Sequence, residues 1–306
     1  MGPRASIARR ALGLWRPALN ALRPVPSVSD PPLVSVVTAT YNWSEVLRWA
    51  IRSVRAQRYP RWEMIVVGDC CTDDTEAVVE SFEDPRIRWH NRESNAGSQS
   101  LPNNDGIAMA RGELVAYLGH DDLWAPDHLS RLVATQRRAD ADVAFSLAEV
   151  IGPPKSGIRN IAGLKSRGFE GGHLPPSAVL HRRTLVERIG AWRDYREIET
   201  PPDSEFLERA LAAGASFTCS WALTCFKFPS AMRRNSYVER PSHEQEELMR
   251  RIERERAFQL RELGRAMASR LRHPRTDPHS FGPRVEAGAG KGAQVREARR
   301  IRGLDP

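Results

Sequence analysis

The feature that most constrains the fold is the alternation of apolar runs with helical patterns between residues 33 and 147. The β-branched run at 33–38 is typical of a strand that is buried on both faces. From Ser44, a suitable helix N-cap, apolar residues recur at helical spacing. Further strands are predicted at 62–67, 87–89, 114–118 and 143–147, with helices between them. The pattern predicts an α/β fold with a Rossmann-like, mainly parallel central sheet and flanking helices.

Composition shifts divide the chain into five segments. Prolines end a linker near residue 32, so residues 1–32 are expected to form a flexible basic leader. Residues 33–150 would form the sheet-building half, and 151–240 a second half whose Gly/Pro-rich opening suggests a lid loop. We expect 241–272 to form one charged helix, at solvent or a subunit contact rather than in the core. Residues 273–306 are expected to be a disordered basic tail.

The formal net charge of +8 is carried by the two ends of the chain, whereas residues 31–264 are close to neutral. This distribution argues against a nucleic-acid partner, which would favour a basic stripe on the folded face. The basic ends permit peripheral contact with a membrane surface, and no apolar run is long enough to span one. Four cysteines without a CxxC pair fit a reducing compartment, so a cytoplasmic location is expected.

Polar clusters follow three of the predicted strands. They are residues 38–42 after the first strand, Gly68-Asp69 after the second, and Gly119-His120-Asp121-Asp122 after the fourth. Ligands of open α/β sheets bind beyond the carboxyl ends of the strands. The three clusters are therefore expected to converge on one site.

The carboxylates of Asp121 and Asp122 suit a hard divalent cation. Mg²⁺ or Mn²⁺ prefers carboxylate and phosphate oxygens, so one or two protein carboxylates suffice, and the metal would act on a departing diphosphate. The alternative is that both residues cap the following helix. Asp69 can accept hydrogen bonds from a base or a ribose, or it can satisfy its own turn.

A general base is expected in the second half of the chain. Asp203 and Glu205 are the acidic candidates, and Asp203 also suits the N-terminus of a helix. His173 and His181 are alternatives, because histidine is the commonest general base.

Together these segments resemble the family 2 glycosyltransferases with the GT-A fold, over roughly residues 33–230. The resemblance is carried by the order and spacing of several motifs. These are Val34-Ser35-Val36-Val37-Thr38-Ala39-Thr40-Tyr41-Asn42, the stretch from Glu63 to Thr75, Asn95-Ala96-Gly97, Asn104-Asp105-Gly106-Ile107 and Tyr117-Leu118-Gly119-His120-Asp121-Asp122.

The resemblance implies an inverting transferase that moves a sugar from a nucleoside diphosphate sugar to a glycan, lipid or other hydroxyl acceptor. It implies Asp203 as general base, Asp121 as ligand of Mn²⁺ or Mg²⁺, and a role in polysaccharide or cell-envelope glycan synthesis. The implied donor contacts are Thr38, Thr40, Tyr41, Asp69, Asn104, His120 and Asp121.

Three acids usual in the family are absent here, because Gly68, Gly119 and Pro202 stand in their places. These departures keep a second hypothesis open, a non-catalytic sugar-nucleotide or glycan-binding protein of the same fold. A third hypothesis is a binder of nucleic acid or anionic membranes through the basic ends, and the near-neutral body makes it the weakest. A dehydrogenase is disfavoured, because no Gly-rich phosphate loop follows the first strand.

Overall fold

The computed structural model describes residues 17, 19–20, 23–25, 28–164, 169, 174–272, 285–286 and 288–305. The predicted flexible leader therefore falls largely outside the described residues, as does His173.

The first half of the chain alternates strands and helices. Strand β1 spans Val34–Thr40, β2 Trp62–Gly68, β3 Ile87–Asn91 and β4 Leu114–Tyr117, with helices α1 Ser44–Arg55, α2 Thr75–Glu80 and α3 Ser100–Met109 between them. A two-residue strand β5, Leu123–Trp124, and helix α4, His128–Ala139, follow. Strand β1 runs parallel to β2 and β4, and β2 runs parallel to β3. The carboxyl ends of these strands consequently share one edge.

The second half extends the same sheet. Strand β6 spans Val143–Ile151, β7 Arg159–Ala162, β8 Val179–Arg182 and β9 Phe217–Lys227. The helices are α5 Thr184–Ile189, α6 Pro202–Ala212, α7 Ser236–Glu239, α8 His243–Arg254, α9 Phe258–Arg272 and α10 Ala293–Arg302. The strand order is β3-β2-β1-β4-β8-β6-β9-β5, with β7 paired to β6. Strand β9 is parallel to β6, while β8 lies antiparallel to both β4 and β6, so β9 also ends at the edge where β4 ends.

The sheet is covered on both faces. One apolar cluster includes Leu47, Ile51, Val54 and Leu129, which α1 and α4 pack against the sheet. The other joins the sheet to α6, α8 and α9 through Phe206, Met249 and Phe258, among others. Burial on both faces explains why the strands are continuous apolar runs, as the sequence predicts.

Two predictions for the C-terminal part are wrong. Residues 241–272 form two helices, because the chain breaks between them at Ala257, which has φ +53°. They are not a purely solvated element, since Leu248, Met249 and Ile252 of α8 are buried against the core. Residues 273–306 are not wholly disordered, because α10 forms within them and is tied to the body by hydrogen bonds. The lid loop expected at the Gly/Pro-rich opening of residues 151–240 also contains β7.

Candidate active site

A cavity of about 690 Å³ opens at the carboxyl edge of the sheet. It holds most of the residues that the sequence singles out. Those in its wall are Thr40, Tyr41, Asp69, His120, Asp121 and Asp203. The predicted convergence of the polar turns is thus present in the structure.

Asp69 lies at the end of β2 and is buried. Its two carboxylate oxygens accept hydrogen bonds from the backbone N–H groups of Ala96 (2.7 Å) and Gly97 (3.1 Å). Burial raises the pKa of Asp69, against the lowering effect of these hydrogen bonds and of the Arg92 charge. The carboxylate therefore fixes the turn at 95–97 while its side chain still forms part of the cavity wall.

The adjacent acids Asp121 and Asp122 have different environments. Asp122 is fully buried, and its oxygens accept hydrogen bonds from Ser177 Oγ, Lys227 Nζ (3.1 Å) and the backbone N–H of Phe228 (3.0 Å). It joins the turn to β9 instead of capping a helix, so the capping alternative is wrong for this residue. Asp121 lines the cavity. Of the pair, only Asp121 faces the site.

His120 links three parts of the site. Its Nδ1 lies 2.9 Å from Thr40 Oγ1 at the end of β1, and its Nε2 lies 3.0 Å from the hydroxyl of Tyr237 in α7. Burial lowers the pKa of His120 to about 4, and the positive charge of Arg302 contributes. The ring is therefore neutral near pH 7, with both nitrogens engaged in hydrogen bonds.

The candidate bases differ in whether their side chains reach the cavity. Asp203 stands in the first turn of α6 and lines the cavity. Glu205 accepts two hydrogen bonds from Arg209, each 3.0 Å long, and pairs with Arg193. His181 is a fully buried residue of strand β8, where it hydrogen-bonds Tyr117 and the carbonyl of Arg182. Among the candidates within the described residues, Asp203 alone reaches the cavity.

Two expected donor contacts are corrected. Asn104 does not line the cavity, because its amide exchanges two 2.9 Å hydrogen bonds with the backbone of Trp192. Trp192 in turn stacks on Phe206 of α6 with ring centroids 4.6 Å apart, so Asn104 holds α3 to the second half. Thr38 is not part of the cavity wall either, and its Oγ1 is buried in β1.

Two departures from the family pattern have a steric cause. A Cβ atom at Gly68 would lie 2.4 Å from the Trp89 ring and 2.6 Å from Asn91 Oδ1. A Cβ atom at Gly119 would lie 2.8 Å from Asp122 Oδ2. The side chains around these glycines occupy the space that an acid would need. Pro202 opens α6, a position where proline is favoured.

The sequence predictions missed the cavity residues that carry a positive charge and one that carries a phenol hydroxyl. They are Lys227, Tyr237, Arg299 and Arg302. Lys227 is the last residue of β9, so the strand-end rule that located Asp69 could have found it. Burial would lower the pKa of Lys227, but Asp122 and Asp121 hold it above its ordinary value. No sequence pattern indicates that Tyr237, Arg299 and Arg302 lie in the cavity wall.

No group of three or more His, Cys, Asp or Glu side chains within the described residues could hold a metal ion. The carboxylate that could contribute to a cation site at this edge is that of Asp121, which lines the cavity. Mg²⁺ and Mn²⁺ are commonly held by one or two carboxylates with phosphate oxygens and water. The residues present therefore fit a cation that is shared with a bound diphosphate.

Comparison with solved structures identifies the fold. S. aureus TarS in complex with UDP-GlcNAc matches with a TM-score of 0.55 and 20% identity, over 89% of this chain and 84% of that chain. The mannosyltransferase PcManGT from Pyrobaculum calidifontis, in complex with GDP-Man and Mn²⁺, matches with a TM-score of 0.54 and 17% identity, over 89% and 85%. The expected α/β GT-A fold is confirmed.

Sequence comparison relates part of the chain to a known family. The model of glycosyl transferase family 2 matches residues 35–181. The putative teichuronic acid biosynthesis glycosyltransferase TuaG of Bacillus subtilis is 39% identical over 102 residues, which are 33% of this chain and 40% of that protein. These matches agree with the expected resemblance to the family 2 glycosyltransferases over residues 35–181, and the matched relative is itself named a glycosyltransferase, as the expected transferase class requires. It aligns with only about two fifths of TuaG.

Proposed function

We propose that this chain transfers a sugar, with inversion, from a nucleoside diphosphate sugar to a hydroxyl acceptor in the synthesis of a cell-envelope polysaccharide. The observation that carries the proposal is that Asp69, Asp121 and Asp203 line one cavity. These are the minimum acids for gripping a nucleoside, placing a cation at a diphosphate and accepting a proton. The name of TuaG supports the class of product, and the complexes of TarS and PcManGT support the class of donor.

Each acid would have its own task. Asp69 and the turn it holds at 95–97 would receive the nucleoside. Asp121 would be the protein ligand of Mn²⁺ or Mg²⁺, which would supply charge neutralisation at the diphosphate. Thr40, Tyr41 and His120 would complete the donor wall, because they line the same cavity.

Asp203 would accept the proton of the acceptor hydroxyl. The acceptor oxygen then forms its bond to the anomeric carbon as the bond from that carbon to the diphosphate oxygen breaks. The nucleoside diphosphate departs with the bonding electrons, and a single displacement of this kind inverts the anomeric centre. A base needs only to lie within hydrogen-bond reach of the acceptor hydroxyl. Because Asp203 lines the cavity, an acceptor bound there could come within that reach.

The acceptor is proposed as a glycan or a lipid-linked sugar. No helix in the described part of the chain is long and apolar enough to cross a membrane. Peripheral membrane contact through the basic ends and a cytoplasmic location stay predictions. Residues 1–16 and 273–284, which carry much of the basic charge, fall outside the described residues.

The test is a screen of the purified chain against UDP-, GDP- and TDP-sugars with Mn²⁺, Mg²⁺ or EDTA. The acceptors should range from monosaccharides to polyprenyl-diphosphate-linked sugars. The expected result is acceptor-dependent release of the nucleoside diphosphate that Asp121→Ala abolishes. Nucleotide-sugar binding by calorimetry without any release would instead support the non-catalytic alternative, which the absent acids at Gly68 and Gly119 motivate.

A further inference from the structure

The C-terminal helix α10 forms one wall of the cavity. Its anchors are backbone hydrogen bonds from Gly292 to the carbonyl of Ile198 (2.7 Å) and from Asn235 to the carbonyl of Ile301 (2.8 Å). The cavity residues that this part of the chain supplies are Val285, Gln294, Val295, Ala298, Arg299, Arg302 and Leu304. With α10 in place, the cavity still has the size of a small-molecule binding site. The helix therefore encloses the site without filling it.

Arg299 fastens α10 to the turn that holds Asp69. Its Nη1 donates a 2.9 Å hydrogen bond to the carbonyl of Gly97, whose own N–H donates to Asp69. Asp305 accepts hydrogen bonds from Nε and Nη2 of the same guanidinium and keeps it oriented. Helix α10 is thus hydrogen-bonded to the turn at 95–97, which Asp69 holds and which would receive the nucleoside.

Arg302 lies one turn further along α10, on the face that it shares with Arg299. Its Nε is buried and has no hydrogen-bond partner within the described residues. Its charge acts on both His120 and Tyr237, and so does the charge of Lys227. Arg302 and Lys227 both line the cavity, as Asp121 does.

A buried guanidinium donor without an acceptor is costly, whereas phosphate oxygens satisfy such a group through strong charge-assisted hydrogen bonds. Lys227 has three N–H donors, and within the described residues one of them is given to Asp122. Both side chains are thus equipped to donate to an anion that enters the cavity.

We propose that α10 closes the donor pocket and that Arg302, together with Lys227, binds the diphosphate of the nucleotide. The proposal rests on the proposed function, since it places the diphosphate of a sugar nucleotide in this cavity. It assigns to the C-terminal segment a direct role in donor binding and gives the leaving group protein cations in addition to any metal.

The test is calorimetric titration of the full chain with UDP, GDP, TDP and uridine, in EDTA and again in Mn²⁺. The variant is Arg302→Gln. The matched control is Arg300→Gln, because Arg300 lies on the same helix, is exposed and pairs with Glu297. We expect Arg302→Gln to weaken binding of the preferred diphosphate about tenfold, the loss of a charge-assisted contact, with uridine binding unchanged. Arg302→Lys should restore part of the affinity, and Arg300→Gln should bind as the parent chain does.

Two results would overturn the proposal while leaving the proposed function intact. One is a parent-like affinity of Arg302→Gln for the diphosphate. The other is an equal loss of affinity for uridine and diphosphate, which would show that Arg302 only supports the helix. If the parent chain binds none of the three diphosphates in either condition, both the proposed function and this proposal fail.

Discussion

Lys227 Nζ lies 3.1 Å from Asp122 Oδ2, and this ion pair withdraws one of two adjacent carboxylates from the cavity. Asp122 is fully buried, while Asp121 lines the site. The neighbouring acids therefore differ in role: Asp122 holds β9 to the turn, and Asp121 forms part of the cavity wall.

Substitution should separate these roles. Asp122→Asn leaves the Lys227 ammonium without its counter-charge, and we expect the free energy of unfolding to fall by about 3 kcal/mol. Asp121→Asn, at the cavity wall, should change it by less than about 1 kcal/mol. Urea denaturation of both variants measures the difference. Equal losses would show that Asp121 is as structural as its neighbour.

Asp69→Asn should weaken nucleoside binding. An amide nitrogen cannot accept a hydrogen bond, so one of the N–H groups of Ala96 and Gly97 loses its acceptor and the turn loosens. We expect about tenfold weaker uridine or guanosine binding by calorimetry. Asp74→Asn is the control, because Asp74 is exposed just beyond the same strand. An unchanged affinity in Asp69→Asn would exclude this residue from the nucleoside site.

Asn104→Ala should affect stability and leave nucleotide binding intact. The change removes two hydrogen bonds to the Trp192 backbone, which together contribute about 2 kcal/mol. Thermal or urea unfolding measures the loss, and titration with UDP and GDP measures the affinity. Weaker nucleotide binding at parent-like stability would instead show that Asn104 contacts the sugar nucleotide.

Acidification should destabilise the fold through its buried histidines. The Nδ1–H of His181 donates to the Arg182 carbonyl and its Nε2 accepts from Tyr117, so the native ring is neutral. Burial lowers its pKa to about 4. Between pH 6.5 and 4 the unfolded chain binds a proton that the native state does not, so the free energy of unfolding falls as pH falls. The full effect is on the order of 3 kcal/mol.

Urea denaturation at several pH values from 7 to 5 checks this expectation. His181→Gln keeps a side chain that can donate and accept but does not titrate in this range. Its free energy of unfolding should therefore depend less steeply on pH than that of the parent chain. An identical dependence would mean that His181 is not the group responsible.

The sequence predicts the parts of the fold that depend on local pattern. The β-branched run in β1 and the helical spacing in α1 are readable because burial imposes them on neighbouring residues. Asp69 and Asp121 are predictable because strand ends share one edge of the sheet. The pairing of Asp122 with Lys227 is not readable, since 105 positions separate the two residues.

The C-terminal helix α10 shows most clearly what sequence patterns cannot predict. Its sequence is rich in arginine and poor in large apolar residues, which is the pattern of a disordered tail. Its order depends on distant partners, namely the Gly97 carbonyl for Arg299 and the carbonyl of Ile198 for Gly292. Composition cannot report such contacts, so the positions of Arg299 and Arg302 emerge only from the folded chain.

The most direct test of the central claim compares nucleoside diphosphate release by Asp203→Asn and Glu205→Gln, with the donor and acceptor that the parent chain uses. General base catalysis contributes about 10²- to 10⁴-fold. The account predicts a loss of that size in kcat for Asp203→Asn. Glu205→Gln, which alters a residue paired with Arg209, should keep most of its turnover. Parent-like turnover of folded Asp203→Asn, or a loss confined to Glu205→Gln, would contradict the account.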